Sequence, residues 1–155
     1  MEMKKLEKYI MANWDKRFID LAHNIADWSK DRKKKVGALI VDEDRRIIST
    51  GYNGMAKGID DNVEERHEKP LKLSYFVHAE ANAIYAAAKS GIRTKGCAMY
   101  ATFHPCSECA KAIIQSGITH VVCYEPDWNS SWADTAKIAK DMFKEAGIKV
   151  KYIKY

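Results

Sequence analysis

The run Val36-Gly37-Ala38-Leu39-Ile40-Val41 constrains the fold more than any other stretch of the chain. It is apolar at every position and rich in β-branched side chains, so it reads as a strand covered on both faces, near the centre of a sheet. Covering both faces takes helices on each side, and the rest of the chain supplies them. Trp14, Phe18, Leu21, Ile25 and Trp28 recur at spacings of four and three, which is one face of a helix. Asp42 to Arg46 is a polar turn, and Ile47 to Tyr52 is a second strand that closes a hairpin. Strands and helices then alternate. His78 to Lys89 is an alanine-rich helix stopped at Gly91, and Cys97 to Phe103 is a strand. Cys106 to Ser116 is a helix ending at Gly117, followed by a strand from Thr119 to Tyr124. Trp132 to Ala146 is a helix stopped by Gly147, and Ile148 to Ile153 is a last strand whose lysines at 149, 151 and 154 suit a sheet edge. The expected fold is α/β: three layers, α-β-α, with helices on both faces of a mixed five-stranded sheet that is parallel wherever helices connect its strands. Residues 1–155 read as a single domain, with a charge-rich loop or insertion at about 54–74.

Composition excludes several classes. With 46% hydrophobic and 30% charged residues the chain is not collagen-like, mucin-like or a disulfide framework. No apolar run approaches the roughly 20 residues of a membrane span. The start, MEMKKLEKYIMANW, lacks the apolar stretch and cleavage site of a secretory signal, and a cytoplasmic location is expected. The net charge of +5 would assist binding of a phosphate or a nucleic acid but is no dedicated polyanion footprint. The sharpest basic feature is Lys30, Arg32, Lys33, Lys34 and Lys35, interrupted only by Asp31. It reads as a solvated turn or as a phosphate site.

Two short motifs open the two middle helices: His78-Ala79-Glu80 and Pro105-Cys106-Ser107-Glu108-Cys109. Cys97 and Cys123 lie within apolar runs and read as small buried hydrophobes. Cys106 and Cys109 form a C-x-x-C pair, which suits metal or redox chemistry. One imidazole and two thiolates, from His78, Cys106 and Cys109, suit Zn2+. Three protein ligands leave a position for water, the pattern of a catalytic site. The i, i+3 spacing puts both sulfurs on one side of the first helical turn, where unpaired N–H groups favour thiolates. Pro105 suits a position at that helix start. Glu80 falls beside the metal without necessarily binding it, placed to carry protons between water and a substrate nitrogen. His23, His67, His104 and His120 read as surface groups or supports of the site rather than ligands.

The pairing of H-x-E with P-C-x-x-C resembles the zinc-dependent nucleobase deaminases, which this spacing characterises. Within them the chain looks like the deoxycytidylate (dCMP) deaminase branch, through Ser29-Lys30-Asp31, Val36-Gly37-Ala38, Gly51-Tyr52-Asn53-Gly54-Met55, His78 to Ile84 and Pro105 to Lys111. The resemblance spans about residues 12 to 150. It implies one catalytic Zn2+ on His78, Cys106 and Cys109, with Glu80 as proton shuttle. Water would add to C4 of cytosine, Glu80 would protonate N3 and then the departing amino group, and dUMP and ammonia would leave. Asn53 would bind the sugar hydroxyl, the Ala79 backbone N–H the pyrimidine O2, and Ser29 with Lys33 the 5′-phosphate, with Lys30 or Lys34 able to substitute for Lys33. An aromatic side chain is expected beside the base, Trp128 being chosen over Trp132. The resemblance further implies a hexamer activated by dCTP and inhibited by dTTP, bound with Mg2+ at a site drawing on Gly54 and Met55. Two rivals stand beside this reading: deamination of another cytosine nucleotide, a nucleoside or a polynucleotide base, and a non-catalytic zinc scaffold. The acidic residues Asp60, Asp61, Glu64, Glu65 and Glu68 in the insertion oppose a long anionic strand there, and Glu80 opposes a scaffold.

Overall fold

The computed structural model describes residues 14–154; the N-terminal stretch read above for a leader, and the outer ends of the 1–155 domain, lie outside them. Helix α1 (Trp14–Ala26) is followed by the hairpin of β1 (Gly37–Val41) and β2 (Ile47–Tyr52). A short strand β3 (Gly54–Met55), a 3-10 turn at Glu64–His67, helix α2 (Lys72–Tyr75) and strand β4 (Phe76–Val77) come next. The chain then runs through α3 (Ala79–Ser90), β5 (Ala98–Ala101), α4 (Ser107–Gln115), β6 (His120–Tyr124), α5 (Ala133–Glu145) and β7 (Lys149–Ile153).

The main sheet has five strands in the order β2-β1-β5-β6-β7. β1 is antiparallel to both β2 and β5, whereas β5, β6 and β7 are mutually parallel. The parallel pairs are the ones joined by helical crossovers, as handedness and connection length require. β1 is buried at all five positions. Its side chains alternate: Leu39 and Val41 meet Phe18, Ile19 and Ala22 of α1, while Ala38 and Ile40 face the opposite layer. That second layer packs Ala79, Ala83, Ala110, Ile113, Ala139 and Phe143 of α3, α4 and α5 against the sheet. The three-layer arrangement therefore follows from the alternation in β1.

Two local readings change. Helix α1 ends at Ala26, so Trp28 falls beyond it and is 61% exposed; the buried stripe is Phe18, Ile19, Ala22, Ile25 and Ala26. The 54–74 segment is not a structureless loop. A two-residue antiparallel ladder, Gly54 to Val77 and Met55 to Phe76, closes it at its base. The closure brings the residue after β2, Asn53, and the residue after β4, His78, to the same end of the fold. A glycine makes this possible: a Cβ on Gly51 would stand 2.3 Å from the Ala79 carbonyl oxygen and 2.5 Å from the Ala83 nitrogen. Strand β2 and helix α3 thus approach at backbone distance.

Gly51→Ala is expected to destabilise the protein by about 1–3 kcal/mol, read as a lower midpoint in denaturant. Gly54→Ala, whose Cβ would meet nothing within 4 Å, is expected to shift it far less.

Candidate metal centre and cavity

The two motifs occupy two helix starts. His78 is the N-cap of α3, with extended φ −70° and ψ 153°, and Cys106 is the N-cap of α4, with φ −77° and ψ 174°. An N-cap side chain turns back over the first helical turn, where backbone N–H groups lack helical partners. Cys106 follows this rule: its Sγ accepts the Cys109 N–H at 3.4 Å. Cys109, one turn on, faces the same way. Packing of α3 against α4 then brings His78 Nδ1 to 3.4 Å from each of the two sulfurs.

These three donor atoms lie within 4.8 Å of one another, and no fourth His, Cys, Asp or Glu among the described residues joins them. Tetrahedral Zn2+ with the usual bond lengths separates a sulfur from a nitrogen ligand by about 3.5 Å. The donor set and its spacing therefore fit Zn2+ with one position left over. The Cys109 thiol and amide and the His78 ring, all directed at Cys106, pull its thiol down to about 4. Its contact with Cys106, together with burial, pushes the Cys109 thiol up. The Cys106 contact raises the His78 imidazole. Glu80 is 4% exposed, and burial raises its carboxyl above the usual range.

A cavity of about 170 Å³ opens over this cluster. His78, Ala79, Glu80 and Asn53 are in its wall, so four of the sequence-predicted residues converge. The Ala79 N–H is at the first position of α3, where no helical acceptor is available. Asn53 is buried, its Oδ1 accepting from Val36 N at 2.9 Å and its Nδ2 donating to Lys34 O at 2.8 Å and Asp31 Oδ2 at 3.1 Å.

Other residues stand elsewhere. Ser29 is not in the wall, because its hydroxyl is buried and donates to the Asn53 carbonyl at 2.7 Å. Lys33 is exposed outside the cavity; Lys34 takes the wall position, its Nζ 4.4 Å from the Phe103 ring centroid. Lys30 pairs with Asp61 instead. Trp128 also stays outside, with its Nε1 donating to Glu125 at 3.0 Å and Lys140 over its ring. Trp132 lines the cavity, 6.4 Å from His78 and 5.1 Å from Phe103 by ring centroids, with its Nε1 donating to the His104 carbonyl at 2.9 Å. Gly54 and Met55 line a separate cavity of about 210 Å³, which shares Asn53 and Phe76 with the first.

Sequence reasoning missed Lys69 and Lys72 from the insertion, Phe76 of β4, and Asp31, all in the wall. The one available signal was Asp31 itself, a lone acid inside a basic run. His67 and His104 are buried rather than superficial. His104 Nδ1 donates to the Pro105 carbonyl at 3.0 Å, so its Nε2 accepts from the Tyr152 hydroxyl at 3.2 Å. Cys97 and Cys123 are buried in the core, and Tyr124 packs toward α1, away from the site.

Comparison with known proteins agrees with this geometry. The cytidine and deoxycytidylate deaminase zinc-binding region matches residues 12–125. The chain is 37% identical over 146 residues to an uncharacterized deaminase in the luxG 3′ region of Aliivibrio fischeri, covering 93% of this chain and 96% of that protein. It is 38% identical over 150 residues to deoxycytidylate deaminase of Homo sapiens, covering 94% and 81%. Among solved structures, dCMP deaminase from the cyanophage S-TIM5 in complex with dCMP and dUMP superposes with a TM-score of 0.73 at 26% identity. That match covers 89% of this chain and 95% of the cyanophage chain.

Replacing His78, Cys106 or Cys109 by alanine is expected to lower bound zinc well below one ion per chain, measured by metal analysis of purified protein. Chelation of the wild-type protein is expected to lower its melting temperature. Full occupancy in all three variants would contradict the assignment.

Proposed function

This chain belongs to the cytidine and deoxycytidylate deaminase zinc-binding family, and we propose that it hydrolyses dCMP to dUMP and ammonia. The observation that carries the reading is Glu80, a buried carboxyl in the same cavity wall as His78, beside a three-ligand metal set. His78, Cys106 and Cys109 would hold Zn2+, which supplies Lewis acidity that makes water acidic near neutral pH. The other tasks belong to the protein. Glu80 takes the proton of the attacking water and delivers it to N3 of the pyrimidine. Once the oxygen is bonded to C4, the carboxylate takes the remaining proton of that hydroxyl and gives it to the amino group, so that the C4–N4 bond breaks, ammonia leaves and C4 becomes the carbonyl of dUMP. Burial favours this role, since a carboxyl held above its usual range both accepts and returns a proton readily.

The Ala79 N–H, free at the helix start, points to the O2 carbonyl, and Asn53 to the sugar. Trp132 and Phe103 form the aromatic wall against the base. The 5′-phosphate goes to Lys34, Lys69 and Lys72, three cations in one wall. Lys69 and Leu73 of the insertion, and Phe76 just beyond it, stand in that wall too, which favours a free nucleotide over a polynucleotide. The dUMP product suits the supply of thymidylate precursors.

The reading extends to regulation and assembly. A single catalytic domain over 1–155, carrying its insertion at 54–74, acts in the cytoplasm as a homo-oligomer, a hexamer. dCTP and dTTP, with Mg2+, act at the second cavity beside Gly54 and Met55. No helix among the described residues is long and apolar enough to cross a membrane.

Glu80→Gln is expected to keep zinc and fold while kcat falls by about 10²- to 10⁴-fold, measured as ammonia release alongside metal content. Activity near wild type would refute the shuttle. Trp132→Ala is expected to raise KM for dCMP about tenfold or more, as loss of a stacking wall does, whereas Trp128→Ala leaves it nearly unchanged.

A further inference from the structure

We propose that Asp31 is a specificity-determining positioning residue: it fixes Asn53 as a hydrogen-bond acceptor toward the cavity, so that the site demands a donor on the substrate's sugar. The inference rests on the dCMP reading above.

Asp31 is a puzzle at first. It is 6% exposed and stands in the wall of a cavity assigned to an anionic nucleotide. A buried carboxylate there is unfavourable unless it organises other groups. Its oxygens are fully engaged. Oδ1 accepts from the Lys33 N–H at 2.8 Å and the Lys34 N–H at 3.1 Å, and the Lys72 ammonium stands at 2.9 Å from Oδ1 and 2.8 Å from Oδ2. Oδ2 also takes the Asn53 Nδ2 at 3.1 Å. Burial works against ionisation, but Lys72 and the two amides override it and hold the carboxyl below its usual range.

The orientation of the Asn53 amide follows from partners whose chemical roles cannot change. A carboxylate and the Lys34 carbonyl only accept, and the Val36 N–H only donates. Turning the amide over would break all three bonds at once. Both N–H groups of Asn53 are therefore used, and one of the two acceptor sites on Oδ1 is taken by Val36. What remains for a ligand is a single acceptor. Ser29 secures the same turn, with its hydroxyl donating to the Asn53 carbonyl and accepting from the Asp31 N–H at 3.1 Å. On the deoxyribose of dCMP the free donor is the 3′-hydroxyl. Asp31 touches no substrate atom in this scheme and acts on the sugar through Asn53; its pairing with Lys72 bears on the phosphate, which all four substrates of the test share.

The test is steady-state kinetics of zinc-loaded wild type and Asp31→Asn with dCMP and its 3′-deoxy, 3′-fluoro and 3′-amino analogues. In wild type, kcat/KM for dCMP is expected to exceed the 3′-deoxy and 3′-fluoro values by about 100-fold or more, because a buried acceptor left unpaired rejects such ligands. The 3′-amino analogue keeps a donor and is expected to stay within about tenfold of dCMP. In Asp31→Asn the new amide can donate as well as accept, so Asn53 loses one of the three partners that fix its amide and keeps only Lys34 O and Val36 N–H, and the preference is expected to narrow to less than about tenfold. A merely structural role would slow every substrate alike and leave the ratios untouched. An unchanged ratio in the folded variant overturns the proposal. So does a wild type that uses the 3′-fluoro analogue as well as dCMP, a comparison that stands even if the variant fails to fold. Absence of dCMP turnover in wild type would overturn the dCMP reading itself, a different result from turnover without the 3′ preference.

Discussion

Two helix N-termini meet at one end of the sheet, and the chemistry of the site depends on how closely they are held there. Each brings backbone N–H groups without helical partners and a positive partial charge. Between them sit two sulfurs, an imidazole and a buried carboxyl, groups whose charged forms would otherwise be costly away from water. The Cys109 amide already bonds the Cys106 sulfur. Small residues make the convergence possible: Ala79, Ala83 and Ala110 are fully buried against the sheet, and Gly51 lets strand β2 touch the backbone of α3. A larger side chain at these contacts would push the helix starts apart and spread the ligand atoms.

The insertion completes what the sheet begins. Its base ladder fixes Asn53 and His78 in the wall of one cavity. Its short helix returns Lys72 to Asp31, a pair whose side chains are 12% and 5% exposed. That contact differs in kind from Lys30 with Asp61 or Arg32 with Glu64, where exposed partners contribute little. A buried pair adds little net stability against apolar packing, yet breaking it is expensive, so it serves to fix geometry. Here it joins the cavity's cationic end to its neutral, hydrogen-bonding side through one carboxylate.

The layers, the strand order's mixed character and the metal ligands were legible because each is written in short stretches of sequence. The apolar VGALIV run demanded cover on both faces, and the alternation of strands and helices after residue 78 dictated parallel crossovers. His78, Cys106 and Cys109 were legible because a helix start places such residues without help from distant parts of the chain. The cavity wall was not legible in the same way. Lys34 replaces Lys33 because Lys34 is held by its carbonyl contact with Asn53 and its position over Phe103. Trp132 replaces Trp128 because its indole reaches the His104 carbonyl, a contact across 28 residues. Lys72 reaches Asp31 across 41 residues. Such choices are made by tertiary contacts between neighbouring residues of equal local merit, and local pattern carries no record of them.

The most direct measurement is ammonia release by zinc-loaded protein offered dCMP, deoxycytidine and a single-stranded oligodeoxynucleotide at equal cytosine concentration. A cavity lined by Glu80 together with Lys34, Lys69 and Lys72 predicts turnover of dCMP well above deoxycytidine and none of the oligonucleotide. Release from the oligonucleotide alone, or from none of the three, would contradict it.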